Sequence, residues 1–89
     1  MEVIADKSFE RDFKKLSPKM KGLTTVVYEE LVQAKQLSDV LRLEKMSGHK
    51  NYYRIKIDDC RLGLYVIKNV VYLSRILARK DIYKFFPPK

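Results

Sequence analysis

The most constraining feature of the chain is a run of alternating polar and apolar residues from Asn51 to Tyr83. Successive side chains of a β-strand point to opposite faces, so this alternation predicts strands that each bury one face. The apolar faces of the first two strands carry Tyr53, Ile55, Ile57, Leu62, Leu64 and Val66. The opposite faces combine cations with tyrosines: Tyr52, Arg54, Lys56, Arg61, Gly63 and Tyr65. Asp58-Asp59-Cys60 and Lys68-Asn69 are predicted as the turns that separate the strands.

A third strand is predicted from Val70 to Leu77, and its apolar character favours a central place in the sheet. Arg75 and Arg79 have the same parity along this segment, so we expect them on one face. After the strand, Lys80 to Phe86 is predicted as a single helical turn before Pro87-Pro88 closes the chain.

The first half of the chain has helical rather than strand periodicity. Residues 2–5 predict a short strand, and residues 8–16 predict a first amphipathic helix on Phe9, Phe13 and Leu16. Ser17-Pro18 restarts the helix, because serine caps and proline suits the first helical turn. The second helix is predicted to end at Ala34 or Gln36, before an irregular connection over residues 37–50.

These elements predict one α+β domain over residues 1–89, in the order β-α-α-β-β-β. Its sheet is small, antiparallel or mixed, with about four strands. An N-terminal helical hairpin packs on one face of the sheet, and a short helical turn ends the chain.

The charge of the chain is concentrated in its second half. The net charge is +8, and residues 50–89 hold ten Lys/Arg against three Asp/Glu, whereas residues 1–49 hold nine against eight. A one-sided excess of cations indicates a polyanionic partner: nucleic acid, an acidic protein or an anionic membrane surface. The apolar runs are far shorter than a membrane span, and residues 1–6 lack the pattern of a signal peptide. We therefore expect a cytoplasmic protein that does not span a membrane, and we expect its partners to be RNA and protein and not a membrane.

Other kinds of site find little support in the sequence. The single cysteine, Cys60, excludes an internal disulfide, and it is interpreted as structural or incidental. His49 is the only histidine and has no ligand-like spacing to carboxylates, so no metal or other cofactor is expected.

The cations and tyrosines of the predicted strands are suited to RNA. Guanidinium groups grip phosphate, tyrosine stacks on bases, and several cations around one phosphate stabilise a pentacoordinate transition state. A lysine crowded by arginines, such as Lys56, is a candidate for proton transfer, with the RNA 2′-hydroxyl as nucleophile. The alternative is that Arg54 and Lys56 simply form the solvated face of the sheet.

The chain resembles RelE/ParE-superfamily toxins of bacterial type II toxin–antitoxin systems, and within them the RelE-like branch. The resemblance lies in Phe9–Leu16 with Ser17-Pro18, Leu43–Gly48, Tyr53–Ile57, Arg61-Leu62 leading to Tyr65, and Arg75–Tyr83. It implies a ribosome-dependent mRNA endoribonuclease, which needs no metal and leaves a 2′,3′-cyclic phosphate. It also implies a cognate antitoxin, whose acidic amphipathic segment wraps the toxin in a hetero-oligomeric complex.

By position, the resemblance implies five catalytic residues: Arg54, Lys56, Arg61, Arg79 and Tyr83. In it, Arg61 contacts phosphate, Arg79 stabilises or protonates the leaving group, and Tyr83 orients or stacks on the substrate. Four further residues are predicted to contact RNA: Arg75, Lys80, Lys84 and His49.

The chain departs from the family pattern at several positions. Ala78 stands where many members have histidine, Arg54 replaces a lysine, and Asp58 and Cys60 lie where glycine and an aromatic residue are common. Two other functions stay open. One is a ParE-like toxin that inhibits DNA gyrase, although such chains generally lack the cationic set. The other is a module that binds RNA or the ribosome without cleaving RNA.

Overall fold

The fold is organised around a five-stranded sheet. The computed structural model describes residues 1–40 and 42–87. Its elements are β1 (Glu2–Ala5), α1 (Lys7–Lys14), α2 (Pro18–Gln33), a 3-10 turn (Leu37–Asp39), β2 (Leu43–Lys45), β3 (Tyr52–Ile57), β4 (Cys60–Ile67), β5 (Val70–Ala78) and α3 (Arg79–Phe85). The predicted α+β class and helical hairpin are confirmed. None of the helices in the described residues is long and apolar enough to cross a membrane.

The strands lie in the order β1-β5-β4-β3-β2, so β5 and β4 are central. β1 pairs in parallel with β5, and every other pairing is antiparallel. The predicted turn at Lys68-Asn69 is confirmed, because both residues have positive φ and Ile67 pairs with Val70. The other hairpin turn is shorter than predicted: Cys60 is the first residue of β4, opposite Ile57, so Asp58 and Asp59 form the turn alone.

β2 is the strand that the sequence does not predict. Leu43–Lys45 pairs with β3 inside the segment that was expected to be irregular, with Leu43 opposite Ile55 and Glu44 opposite Arg54. Three residues are too few to show an alternating pattern, so this edge strand is defined by its pairing partner and not by its own sequence.

α1 runs along β5 beyond the end of β1. The Ser8 hydroxyl donates to the Ser74 carbonyl at 2.7 Å, and the Asp12 carboxylate accepts from the Ile76 amide at 3.1 Å. These bonds satisfy backbone groups that a bare sheet edge would leave unpaired. At the start of α2, Ser17 accepts from the Met20 amide at 3.2 Å, so the predicted Ser17-Pro18 restart is confirmed.

The two faces of the sheet are covered differently. The helical hairpin packs on the apolar face, where the deeply buried side chains are Leu31, Ile55, Leu62, Leu64 and Leu73. Across the other face, Tyr52, Tyr65 and Tyr72 stack in a row, with ring centroids 5.7 and 4.9 Å apart. α3 also packs on this second face, and it positions the candidate site.

Candidate functional site

A surface cleft of about 590 Å³ lies between the β3–β4 hairpin turn and the start of α3. The cleft is lined by Lys56, Arg61, Ala78, Arg79, Lys80 and Tyr83, together with the two turn residues Asp58 and Asp59. Residues far apart in the chain meet here because the strands that carry them are neighbours. Cys60 pairs with Ala78, and the Arg79 amide donates to the Asp59 carbonyl at 2.9 Å.

Two cations face each other on the floor of the cleft. Lys56 on β3 is the direct cross-strand partner of Arg61 on β4. Arg61 is only 9% exposed, and its Nη1 donates to the carbonyl oxygens of Asp58 at 3.2 Å and Cys60 at 3.0 Å. Like charges placed directly opposite one another destabilise a strand pair. An anion bound between Lys56 and Arg61 would relieve that cost.

α3 supplies the wall of the cleft. Arg79 and Tyr83 are four residues apart in a helix, so they lie on one side of it, above the cleft. The helix is held down by Ile82 and Phe86, each 1% exposed. The Phe86 ring lies over Gly63, where a Cβ atom would stand 2.6 Å from it. Glycine at position 63 therefore allows the Phe86 ring to lie close to β4, and this contact sets the distance between α3 and the sheet.

Arg54 lies beside the cleft and reaches it through Tyr83. Its Nη1 donates to the Tyr83 hydroxyl at 2.7 Å, and its guanidinium carbon is 5.3 Å from the centroid of the Tyr83 ring. On the other side, its Nε and Nη2 donate to one carboxylate oxygen of Glu44 at 3.2 and 3.0 Å. A continuous chain of contacts thus links β2, β3 and α3.

The cleft is cationic but not uniformly so. Lys56, Arg61, Arg79 and Lys80 are opposed by Asp58 and Asp59, and Asp58 also lies 3.6 Å from Lys19 on the surface. Two arginines and two lysines around one depression suit a phosphate group and added negative charge on it. Ala78, which also lines the cleft, contributes no titratable group to it.

The chain shows clear similarity to a curated toxin over almost its whole length. Toxin RelE3 of Methanocaldococcus jannaschii is 33% identical over 88 residues, which cover 98% of this chain and 100% of that protein. The chain belongs to the RelE family of toxins. No protein-family model matches the sequence.

Solved structures agree with this assignment. The RelB-RelE antitoxin-toxin complex from Methanococcus jannaschii contains a chain that is 31% identical, with a TM-score of 0.81 over 96% of this chain and 100% of that one. The isolated Escherichia coli RelE toxin is 22% identical, with a TM-score of 0.66 over 93% of this chain and 90% of that one. The second comparison supports the fold alone. The predicted RelE-like resemblance is therefore confirmed, while the roles of individual residues remain predictions.

The predicted site residues fall into two groups. The first group lies at the cleft: Lys56, Arg61, Arg79, Lys80 and Tyr83 line it, and Arg54 lies beside it in contact with Tyr83. The other three, Arg75, Lys84 and His49, lie elsewhere. The Lys84 ammonium is 3.7 Å from the Asp81 carboxylate on the same helix. The His49 ring is 6.1 Å from the Tyr52 ring and lines a separate depression with Lys45 and Lys50.

The Arg75 guanidinium is occupied by contacts within the protein, to Asp12 and to Phe85. Its Nε and Nη2 donate to the two carboxylate oxygens of Asp12 at 2.7 and 3.0 Å, and its guanidinium lies 4.9 Å from the Phe85 ring centroid. The pKa of Arg75 is raised, chiefly by its hydrogen bonds to Asp12. The expected shared strand face with Arg79 is wrong, because β5 ends at Ala78 and Arg79 begins α3. The position of Arg79 is therefore set by the start of α3 and not by its parity along β5.

Glu44 is the contact residue that sequence reasoning missed. The observation that could have identified Glu44 is its cross-strand pairing with Arg54, which becomes visible only when β2 is recognised.

Cys60 is buried, and desolvation followed by the charges of Asp59 and Asp58 raises its pKa. A thiol in this state is a weak nucleophile, in line with the structural interpretation. Among residues 1–40 and 42–87 there is no group of three or more His, Cys, Asp or Glu placed to hold a metal ion.

Proposed function

We propose that this chain is the toxin of a type II toxin–antitoxin system and that it cleaves mRNA on the ribosome. The observation that carries the proposal is the convergence of Lys56, Arg61, Arg79 and Tyr83 from three separate elements on one cleft. Membership of the RelE family supports the same reading. The ribosome and its mRNA are cytoplasmic, so the proposed site of action is the cytoplasm.

The proposed reaction uses the RNA itself as nucleophile. The 2′-hydroxyl attacks the adjacent phosphorus, the bond from phosphorus to the 5′-oxygen breaks, and the products are a 2′,3′-cyclic phosphate and a 5′-hydroxyl. The attacking hydroxyl loses a proton and the leaving oxygen gains one. Arg61 and Arg79 stabilise the charge that builds on the phosphate oxygens, because arginine keeps its proton and binds such oxygens through paired N–H groups.

The remaining groups have complementary roles. Arg61 is pre-oriented by its two backbone acceptors, so little reorganisation is needed when the phosphate arrives. Proton exchange is assigned to Lys56 and Tyr83, whose side chains line the same cleft. Tyr83 is 52% exposed, which leaves its ring open to stack on a base. The cleft is shallow, and we assign to the ribosome the task of holding the mRNA in place.

We also propose that a cognate antitoxin neutralises this chain in a hetero-oligomeric complex. Solved relatives of similar fold include RelB-RelE and RelBE toxin-antitoxin complexes. The net charge of +8 favours an acidic partner segment. Apolar side chains exposed on α2 offer such a segment a surface to cover, namely Leu23, Val26, Tyr28 and Val32.

Induction in cells tests the proposal. We expect wild-type protein to arrest growth and to cut mRNA in the ribosomal A site. Arg79→Ala combined with Tyr83→Phe is expected to lower cleavage by about 100-fold or more, the order found when charge stabilisation of a transition state is removed. Arg11→Ala, which removes an exposed arginine of α1, is the matched control. Undiminished cleavage by the double variant would contradict the site assignment.

Two further assays separate the alternatives. A supercoiling assay with purified gyrase is expected to show no inhibition, and inhibition there without mRNA cleavage would support the ParE-like function instead. Salt-sensitive RNA binding without any cyclic phosphate ends would support a non-catalytic RNA-binding module.

A further inference from the structure

We propose that Glu44 is a positioning residue that orients Tyr83 through Arg54. The inference rests on the proposed function, and it assigns a role to the edge strand β2. Glu44 lies directly opposite Arg54 in the β2–β3 pairing, on the side away from β4. Glu44 therefore contacts Arg54 from the edge of the sheet, while Tyr83 contacts Arg54 from α3.

The guanidinium of Arg54 divides its donors between two partners. Nε and Nη2 are directed to one oxygen of Glu44 at 3.2 and 3.0 Å, and Nη1 is directed to the Tyr83 hydroxyl at 2.7 Å. A planar guanidinium fixes the angle between these donors, so anchoring one edge sets the direction of the other. A lysine at position 54 is a point charge without that geometry.

The contact also fixes how Tyr83 uses its hydroxyl. A guanidinium has no acceptor, so the Tyr83 oxygen must accept from Arg54, and the hydroxyl proton must point to a different partner. Arg54 thus leaves the phenol ready to donate its proton to substrate. If the Glu44 carboxylate were removed, the long Arg54 side chain would regain its rotamers. The Tyr83 oxygen would then lose its fixed hydrogen-bond donor.

A competing role for Glu44 would be simple charge screening. A carboxylate beside the cleft weakens the attraction of RNA, so its removal would tighten binding and leave the chemical step unchanged. Positioning predicts the opposite pattern, because a misplaced catalytic group slows the step while binding is little affected. The two roles therefore separate in the kinetics.

Single-turnover cleavage of mRNA on programmed ribosomes distinguishes them. For Glu44→Ala we expect the rate at saturating toxin to fall about 10-fold, the order for a lost orienting contact, while the half-saturating toxin concentration changes less than about 2-fold. Glu44→Gln keeps an oxygen for Arg54 and is expected to recover most of the rate. Glu29→Ala, at an exposed glutamate of α2, is the matched control. Tighter half-saturation at an unchanged rate would overturn the proposal.

A double-mutant cycle shows whether Glu44 acts through Tyr83. If it does, Glu44→Ala causes little further loss in a Tyr83→Phe background, because the hydroxyl that it orients is gone. A full additional 10-fold loss in that background would contradict the proposal. Arg54→Lys is expected to slow wild-type cleavage about as much as Glu44→Ala does.

An NMR measurement on the free toxin separates this inference from the proposed function. The Nε–H resonance of Arg54 is expected to be sharp and slow to exchange, and to be lost in Glu44→Ala but kept in Glu29→Ala. If wild-type protein cleaves nothing on ribosomes, the proposed function fails, and this resonance still decides whether Glu44 holds Arg54. A resonance that is unchanged in Glu44→Ala would refute the positioning contact in either case.

Discussion

Substitution of Gly63 by alanine tests how α3 is held above the cleft. An added Cβ would stand 2.6 Å from Cγ and Cδ2 of Phe86 and 2.8 Å from its Cε2. Phe86 is 1% exposed, so its rigid ring has no empty space into which it can turn. Either the ring leaves its place over β4, or the backbone of α3 moves away from the sheet.

The expected cost follows from this geometry. Overpacking a filled site typically costs ~1–3 kcal/mol, and full burial of a phenylalanine contributes up to ~3 kcal/mol, so we take ~2 kcal/mol for the clash. Alanine returns ~0.5 kcal/mol by restricting the unfolded chain. We therefore expect the free energy of unfolding to fall by about 1.5 kcal/mol, which lowers Tm by roughly 6–12 °C for a domain of this size.

Urea unfolding measures this difference. Gly22→Ala is the matched control, because a Cβ there meets nothing within 4 Å and α2 gains stability, by about 0.5–1 kcal/mol, from alanine in its interior. In a Phe86→Leu background the penalty of Gly63→Ala should shrink, since the clashing ring is absent. A Gly63→Ala protein as stable as wild type, or an equal penalty in both backgrounds, would refute the reasoning.

Two further predictions concern stability and titration. Asp12→Ala is expected to lower the free energy of unfolding by about 2–3 kcal/mol in urea titrations, because Arg75 and the Ile76 amide both lose a buried acceptor. Tyr65 is expected to ionise late, because burial and its hydrogen bond to Asp6 raise its pKa to about 12. Absorbance at 295 nm should therefore show a late tyrosine step that Tyr65→Phe removes.

The sign of the Tyr65 effect can be checked against stability. Its folded pKa lies above the ordinary value of 10.0, so folding favours the neutral phenol. The stabilisation is fully present below pH 10 and is lost as the pH rises towards about 12. Tyr28→Phe, at an exposed tyrosine of α2, is the control and should leave the late step in place.

The control for Asp12→Ala is Glu10→Ala, at an exposed glutamate of α1. We expect it to change the free energy of unfolding by no more than about 0.5 kcal/mol.

Local patterns predicted most of the fold because they act over a few residues. Helical spacing and the Ser17-Pro18 restart identified α1 and α2, and strict alternation identified β3 and β4. The observed helices end earlier than predicted, at Lys14 and Gln33, because apolar spacing continues past the last helical hydrogen bonds. Leu43–Lys45 was missed, since so short a strand exists only through its pairing with β3.

In the candidate site, too, contacts between neighbouring strands were predictable from local patterns, and contacts between distant segments were not. Direct cross-strand pairing placed Lys56 beside Arg61, as alternation and a tight turn require. The start of α3 at Arg79 was not predicted, and it moves that residue out of strand parity with Arg75. The partners of the arginines were also beyond sequence reasoning. Asp12 is 63 residues from Arg75, and no local pattern joins positions that far apart.

The central claim is tested most directly by the chemistry of the mRNA ends. Purified protein is incubated with programmed ribosomes or with the same mRNA alone, and the new 3′ ends are mapped and treated with phosphatase before and after acid opening of cyclic phosphates. The account predicts cuts in the ribosomal A site that carry 2′,3′-cyclic phosphates, require the ribosome, and fall about 100-fold or more with Arg79→Ala and Tyr83→Phe together. New ends bearing a free 3′-hydroxyl, or no cleavage at all, would contradict it.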